Sequence, residues 1–191
     1  MTQNTAEWIS VVARPLVAFC GEDAAKALDL LLPSQIPEPY RSLLVHESDM
    51  TGTLERHRGQ AMLLHTIESV ITPDRVIRHV ELRGSEDKQT AEFGAIEITL
   101  DQFEAGPREE ILGSGLPLGT ILKKAKMDFI SRPIAYFRIK PGASVRHSFG
   151  APADGWLYGR CNQLLALNGR TIADVVEILP PDLLAKDVVQ L

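Results

Sequence analysis

The chain has 191 residues and a formal net charge of −5, from 20 Lys and Arg against 25 Asp and Glu. Hydrophobic residues make up 45% and charged residues 24%, which excludes a disordered or collagen-like chain and suits one domain or two tightly fused halves. The acidic balance argues against a binder of the nucleic-acid backbone, although one buried cation can capture a small anion whatever the net charge.

Cys20 and Cys161 are the only cysteines and lie far apart. They read as reduced core thiols of a cytoplasmic protein, not as a disulfide framework or a zinc site. Residues 5–19 read as a helix bent or split at Pro15. Glu7, Arg14 and Pro15 interrupt any apolar run there, so no signal peptide is expected. No stretch approaches the roughly 20 apolar residues of a membrane helix, so no stable membrane insertion is expected.

Residues 22–32 form a second apolar-periodic stretch. Pro33, Pro37 and Pro39 mark a loop, because proline removes a donor and restricts its neighbour. Helix resumes near Tyr40 and stops around Glu47-Ser48-Asp49. A short helix follows over 51–55, capped by Asp49 or Thr51. From Gln60 the period changes to two, with a strand through His65, a second from about Arg75 and a third running to Leu100. Short turns join them into an antiparallel meander. Helices are predicted over 101–112 and 117–129, and strands over 134–140, 157–167 and 171–179. Asn168-Gly169 between the last two is a strong hairpin signal. The order predicts an α+β single domain over 1–191, with a largely antiparallel six-stranded sheet covered by helices.

Alternate residues of a strand share a face, which isolates unusual charges. Val76, Arg78, Val80 and Leu82 share one face, and Arg78 is its only charge. A buried guanidinium is costly unless paired, so Arg78 needs either an internal carboxylate or an anionic ligand. Ala173, Val175, Glu177 and Leu179 likewise share a face with Glu177 as its only charge. Arg78 and Glu177 either pair with each other or stand apart as the two poles of a ligand site. Gly94, in line with Ile96 and Ile98, marks a bulge or a close approach. Residues 113–119 lack the Gly-Lys-Ser/Thr ending of a nucleotide-binding loop. Lys123, Lys124 and Lys126 read as a solvated helix face. The five histidines have no metal-ligand spacing, and His65 reads as a core histidine. Arg160 reads as a structural or ion-pairing arginine.

Four segments in order carry a resemblance. They are Leu43 to Thr51 followed by Leu54-Glu55, then Val76-Ile77-Arg78-His79-Val80, then Pro117-Leu118-Gly119. The last is Gly159-Arg160-Cys161-Asn162 with Asn168-Gly169 and Val176-Glu177-Ile178-Leu179-Pro180. The chain resembles the chorismate pyruvate-lyase family, whose fold is shared by ligand-binding domains of some GntR-type regulators. The resemblance covers about 43–180, which leaves 1–42 as a helical N-terminal extension. It implies a pocket that binds substrate through Met50, Arg78, Leu118 and Glu177, with Arg78 and Glu177 in catalytic roles. It implies loss of pyruvate from chorismate to give 4-hydroxybenzoate, the reaction of ubiquinone biosynthesis, with no metal or organic cofactor.

In that scheme Arg78 fixes a substrate carboxylate and Glu177 hydrogen-bonds the ring oxygen and supplies a proton. One departure stands out. The quinone-pathway enzymes carry Gly-Arg where this chain has Gly94-Ala95, so a second cation is missing unless Arg146 or His147 in the 141–155 loop replaces it. Three functions are expected in descending order. They are a chorismate lyase, a relative that binds or converts another small aromatic or cyclic carboxylate, and a ligand-sensing domain. The third is placed last because no helix-turn-helix with a basic recognition helix precedes the first motif. The partner expected is a small anion, with no nucleic acid, and the chain is expected to be a monomer or weak oligomer.

Overall fold

Runs of β-branched and alternating apolar residues build an antiparallel sheet, and short helices cover both of its faces. The structure is a computed structural model that describes residues 13–113, 115–140, 142–149 and 155–181. Three small elements come first: helix α1 (Arg14–Cys20), helix α2 (Glu22–Lys26) and strand β1 (Asp29–Leu31). Helices α3 (Tyr40–Leu44) and α4 (Met50–Arg58) follow. The meander is β2 (Met62–Ile71), β3 (Arg75–Gly84) and β4 (Thr90–Thr99). Helices α5 (Ala105–Gly113) and α6 (Leu118–Lys124) lead to β5 (Phe129–Ile139). Helix α7 (Ala143–Phe149) then precedes the hairpin of β6 (Leu157–Ala166) and β7 (Thr171–Leu179).

The sheet has seven strands in the order β1-β5-β6-β7-β4-β3-β2, and every pairing is antiparallel. The expected α+β class holds, but the expected six strands become seven. The stretch over 22–32 is not one helix. It ends its helix at Lys26, and Asp29–Leu31 pairs with Arg138, Phe137 and Tyr136. Three residues are too few to show a period of two, so the edge pairing decides the strand. The N-terminal part of the helix expected over 5–19 lies outside the described residues. Helices expected over 101–112 and 117–129 are both shorter, and β5 starts five residues earlier than Ile134.

One sheet face packs Ala13, Leu16, Phe93, Phe137, Cys161 and Val176 under α1, α2 and α7. His79 lies on this face against Phe19 and Phe93, with ring centroids 5.8 Å and 4.5 Å away. It, rather than His65, is the buried histidine, because β2 is an edge strand and leaves His65 exposed. The opposite face carries two separate apolar clusters. Tyr40, Leu43, Leu44, Met50 and Leu54 cover Leu82 and Leu179. Ile111, Leu118, Ile121 and Leu122 cover Val76, Ile98, Leu164 and Ala173. The middle of the face lies between these two covers. Cys161 is a buried free thiol, and burial pushes it up to about 12.

The packing of β6 on β7 has one tight point. A Cβ on Gly159 would collide with the Glu177 carbonyl and come within 2.6 Å of the Phe137 ring. Backbone cannot yield there without breaking the ladder that holds Arg160 and Glu177. Gly159→Ala is therefore expected to destabilise the fold by about 3 kcal/mol, as overpacking does. Urea denaturation of the two proteins measures this, and an unchanged midpoint would contradict it.

Candidate functional site

Between the two apolar covers lies a cavity of about 90 Å³. Its floor is the middle of the sheet, with Arg78 and Val80 from β3, Gly94 and Ile96 from β4, and Asn162 and Glu177 from β6 and β7. The register explains this grouping. Arg78 pairs with Ile96, Val80 with Gly94, Gly94 with Glu177, and Glu177 with Arg160, so all point to one side. The mouth is formed by Asp49, Met50 and Thr51 at the start of α4 and by Pro117, Leu118 and Gly119 at the start of α6.

Both mouth segments are fixed locally. Asp49 caps α4 by accepting the Gly52 N–H at 2.8 Å, and Gly59 ends that helix with φ 66°. Asp49 also receives Lys123 Nζ at 3.0 Å, which ties α4 to α6 across the opening. Burial pushes the Asp49 carboxyl up, but the Gly52 N–H and Lys123 outweigh it and leave it below the usual range.

The electrostatics of the floor are uneven. Arg160 is fully buried and its Nε donates to Glu177 Oε2. Its Nη1 donates to the carbonyls of Leu44 at 3.0 Å and His46 at 2.9 Å, and its Nη2 reaches the carbonyl of Ser48 at 3.4 Å. This guanidinium is satisfied. Arg78 is only 1% exposed, and its Nε and Nη2 have no hydrogen-bond partner among the described residues. Burial alone lowers its pKa to about 10, so it stays charged at neutral pH. Glu92 also lines the cavity, is 4% exposed, and its Oε2 has no partner among the described residues. Burial, and then the charge of Glu177, hold its carboxyl well above the usual range, against a smaller opposite pull from Arg160.

All four residues expected at the pocket, Met50, Arg78, Leu118 and Glu177, line it together. The pairing of Arg78 with Glu177, left open by the sequence, does not occur, because Arg160 lies opposite Glu177 on the neighbouring strand and takes that carboxylate. Gly94 is no bulge. The β3–β4 register runs unbroken through it, and the irregularity falls between Leu82 and Arg83 instead. A Cβ at Gly94 would come within 2.9 Å of Val80 Cγ2, so the glycine marks close approach. Arg146 and His147 do not replace the missing cation. They are exposed on α7, whose Val145 packs on the opposite sheet face. Lys123, Lys124 and Lys126 are exposed as expected. Sequence reasoning missed Glu92, Asn162 and Phe129, although Glu92 shares the alternation of Gly94, Ile96 and Ile98.

No family model matches the chain, and no curated protein matches it in sequence. Solved structures do resemble it. PhnF from Mycobacterium smegmatis is 10% identical with a TM-score of 0.57, over 72% of this chain and 66% of PhnF. The effector domain of PhnF alone is 9% identical with a TM-score of 0.53, over 73% of this chain and 92% of that domain. A GntR-family transcriptional regulator from Bacillus cereus is 11% identical with a TM-score of 0.46, over 63% of this chain and 92% of that one. The chain thus spans just under two thirds of full-length PhnF and shares the fold of its effector domain. The expected lyase is corrected here. The structures just named are PhnF, its effector domain and a transcriptional regulator, not lyases, so chorismate, pyruvate, 4-hydroxybenzoate and ubiquinone biosynthesis find no support. Among the described residues no helix is long and apolar enough to cross a membrane.

Two outcomes are expected. Arg160→Met leaves Glu177 buried without its counter-ion and should destabilise the fold by about 3–5 kcal/mol, whereas Arg160→Met with Glu177→Leu should recover only part of that loss, because the carbonyls of His46 and Ser48 still lose their donor. A double-mutant cycle by chemical denaturation checks this. Glu92 binds its proton more tightly folded than unfolded, so its contribution to stability falls as pH rises from the usual carboxylate range toward its raised value. Glu92→Gln should therefore gain more in melting temperature at pH 8 than at pH 4.5, and an equal gain at both would refute the assignment.

Proposed function

We propose that this domain senses a small anion, aromatic or cyclic carboxylates being the class of first choice, and that Arg78 is its anchor. The observation that supports this is the Arg78 guanidinium on the cavity floor, whose Nε and Nη2 have no hydrogen-bond partner among the described residues. An internal ion pair would have satisfied it, as one satisfies Arg160. A planar fork presents parallel N–H donors that a carboxylate accepts two at a time, and an anion brought to it there is shielded from water. Met50 and Leu118 close over the bound molecule from the two mouth segments. The likeness to the PhnF effector domain supports sensing over turnover.

The sensing step has a mechanical route. The residues that close the mouth lie on α4 and α6, which Asp49 and Lys123 tie together. A ligand that touches Met50 and Leu118 stabilises the closed arrangement only by the difference in its contacts between open and closed states.

Calorimetry with benzoate and cyclohexanecarboxylate tests the reading. Binding is expected for the unaltered chain, with a rise in melting temperature that grows with ligand concentration; at a hundredfold excess over Kd the gain is about 2.7 kcal/mol. Arg78→Gln should abolish binding while raising the stability of the ligand-free protein, because it removes an unpaired buried charge. Equal binding by Arg78→Gln would sink the proposal.

A further inference from the structure

Arg78 is one pole of the cavity, and the anion reading leaves the other pole without a role. Glu92 lines the same cavity, is nine-tenths buried or more, and keeps Oε2 without a hydrogen-bond partner among the described residues. A buried carboxyl in that condition is as costly as a buried guanidinium, and each calls for a counter-group. The other two buried charges on this sheet face do not supply one. Glu177 is taken by Arg160, and Arg160 gives its remaining N–H groups to the carbonyls of Leu44, His46 and Ser48.

Nor do Arg78 and Glu92 satisfy each other. They form no ion pair, burial alone shifts Arg78, and the charges that act on Glu92 are Glu177 and Arg160. The strand register gives the reason. Arg78 faces Ile96 while Glu92 faces Leu82, so four residues separate them along one sheet face. At about 3.3 Å per residue their backbones stand about 13 Å apart, and two long side chains reach toward a gap between them. Val80 and Gly94 floor that gap. Gly94 keeps it open, since a Cβ there would lie 3.1 Å from Glu92 Oε1. Its walls are apolar, from Leu64, Ile96, Leu118 and Phe129.

We propose that the ligand is dipolar, with an anion that meets Arg78, a cation that meets Glu92 and a short apolar spacer between. This inference rests on the anion-sensing reading and extends it. The charges then balance locally: Arg160 cancels Glu177, and each pole of the ligand cancels one pole of the cavity. An ammonium beside Glu92 would also return that carboxyl to its ionised form, because an opposite charge favours ionisation.

The probes are the ω-amino acids from 3-aminopropanoate to 6-aminohexanoate, each set against the unsubstituted and the ω-hydroxy acid of the same length. Calorimetry on the full chain is expected to show one amino acid of matching span binding at least about tenfold more tightly than its plain counterpart. Glu92→Gln should erase that difference, and Arg78→Gln should weaken the amino and plain acids alike. If the plain or hydroxy acids bind as well as the amino acids, the dipolar inference is overturned and the anion reading stands. If no member of any series binds while benzoate or cyclohexanecarboxylate does, the dipolar inference is overturned and the anion reading stands; if none of these acids binds, both are overturned. A preference for the amino acids that survives Glu92→Gln also overturns the assignment of Glu92 as the second pole.

Discussion

The buried ion pair between Arg160 and Glu177 is the constraint on which the site depends. Its guanidinium sits in the middle of the sheet and binds a carboxylate on the next strand. The same group collects carbonyls from Leu44, His46 and Ser48, which belong to the segment that leads from α3 into α4. A buried pair of this kind adds little net stability by itself, because desolvation consumes much of the attraction. Its use here is positional. The Leu44 carbonyl also accepts the His46 N–H at 3.1 Å, and one rigid fork that meets it together with the His46 and Ser48 carbonyls fixes where α4 begins. Met50 and Asp49 therefore stand over the cavity at a height set by the sheet.

The cavity follows from the way two apolar clusters share one sheet face. Helices α3 and α4 cover one end and α5 and α6 the other, and neither reaches the middle. A gap over an apolar floor would close by collapse or stay dry. This floor cannot close so simply, because Arg78, Glu92, Asn162 and Glu177 are set into it. Asn162 is satisfied by Ser131, its Nδ2 donating to Oγ at 3.0 Å, and Glu177 by Arg160. The open hydrogen-bonding capacity of the floor is thereby confined to its two ends, and that division gives the site its direction.

Much of this was legible in the strand alternation. Arg78 and Glu177 stand out as single charges on apolar faces, and both face the cavity. Hairpin and capping signals also translate directly: Gly169 takes a positive φ of 82°, and Asp49 caps α4. What alternation cannot supply is the partner across strands. Arg160 shares its face with Tyr158 and Asn162, so nothing in its own strand marks it as the group that neutralises Glu177. Only the register, which places Arg160 beside Glu177, settles that. The edge position of β2 is equally invisible to periodicity, and it is why His65 is solvated although its neighbours in sequence are apolar. Glu92 was legible by the same rule as Arg78, since it shares the face of Gly94, Ile96 and Ile98.

The four-segment resemblance located a pocket and overstated what the pocket does, and the charges show why these can separate. Matching residue types at Met50, Arg78, Leu118 and Glu177 surround one cavity. A reaction needs more, because a group that gives up a proton must be free of competing partners at the atom that reacts. Here Glu177 is held by Arg160, and the second cation expected after Gly94 is replaced by Ala95, which is buried on the opposite face. In its place the cavity presents a second carboxyl, Glu92. A cavity that among the described residues presents unpartnered N–H groups of one cation and an unpartnered oxygen of one acid can discriminate by the charge pattern along a ligand, and such discrimination requires no bond to break.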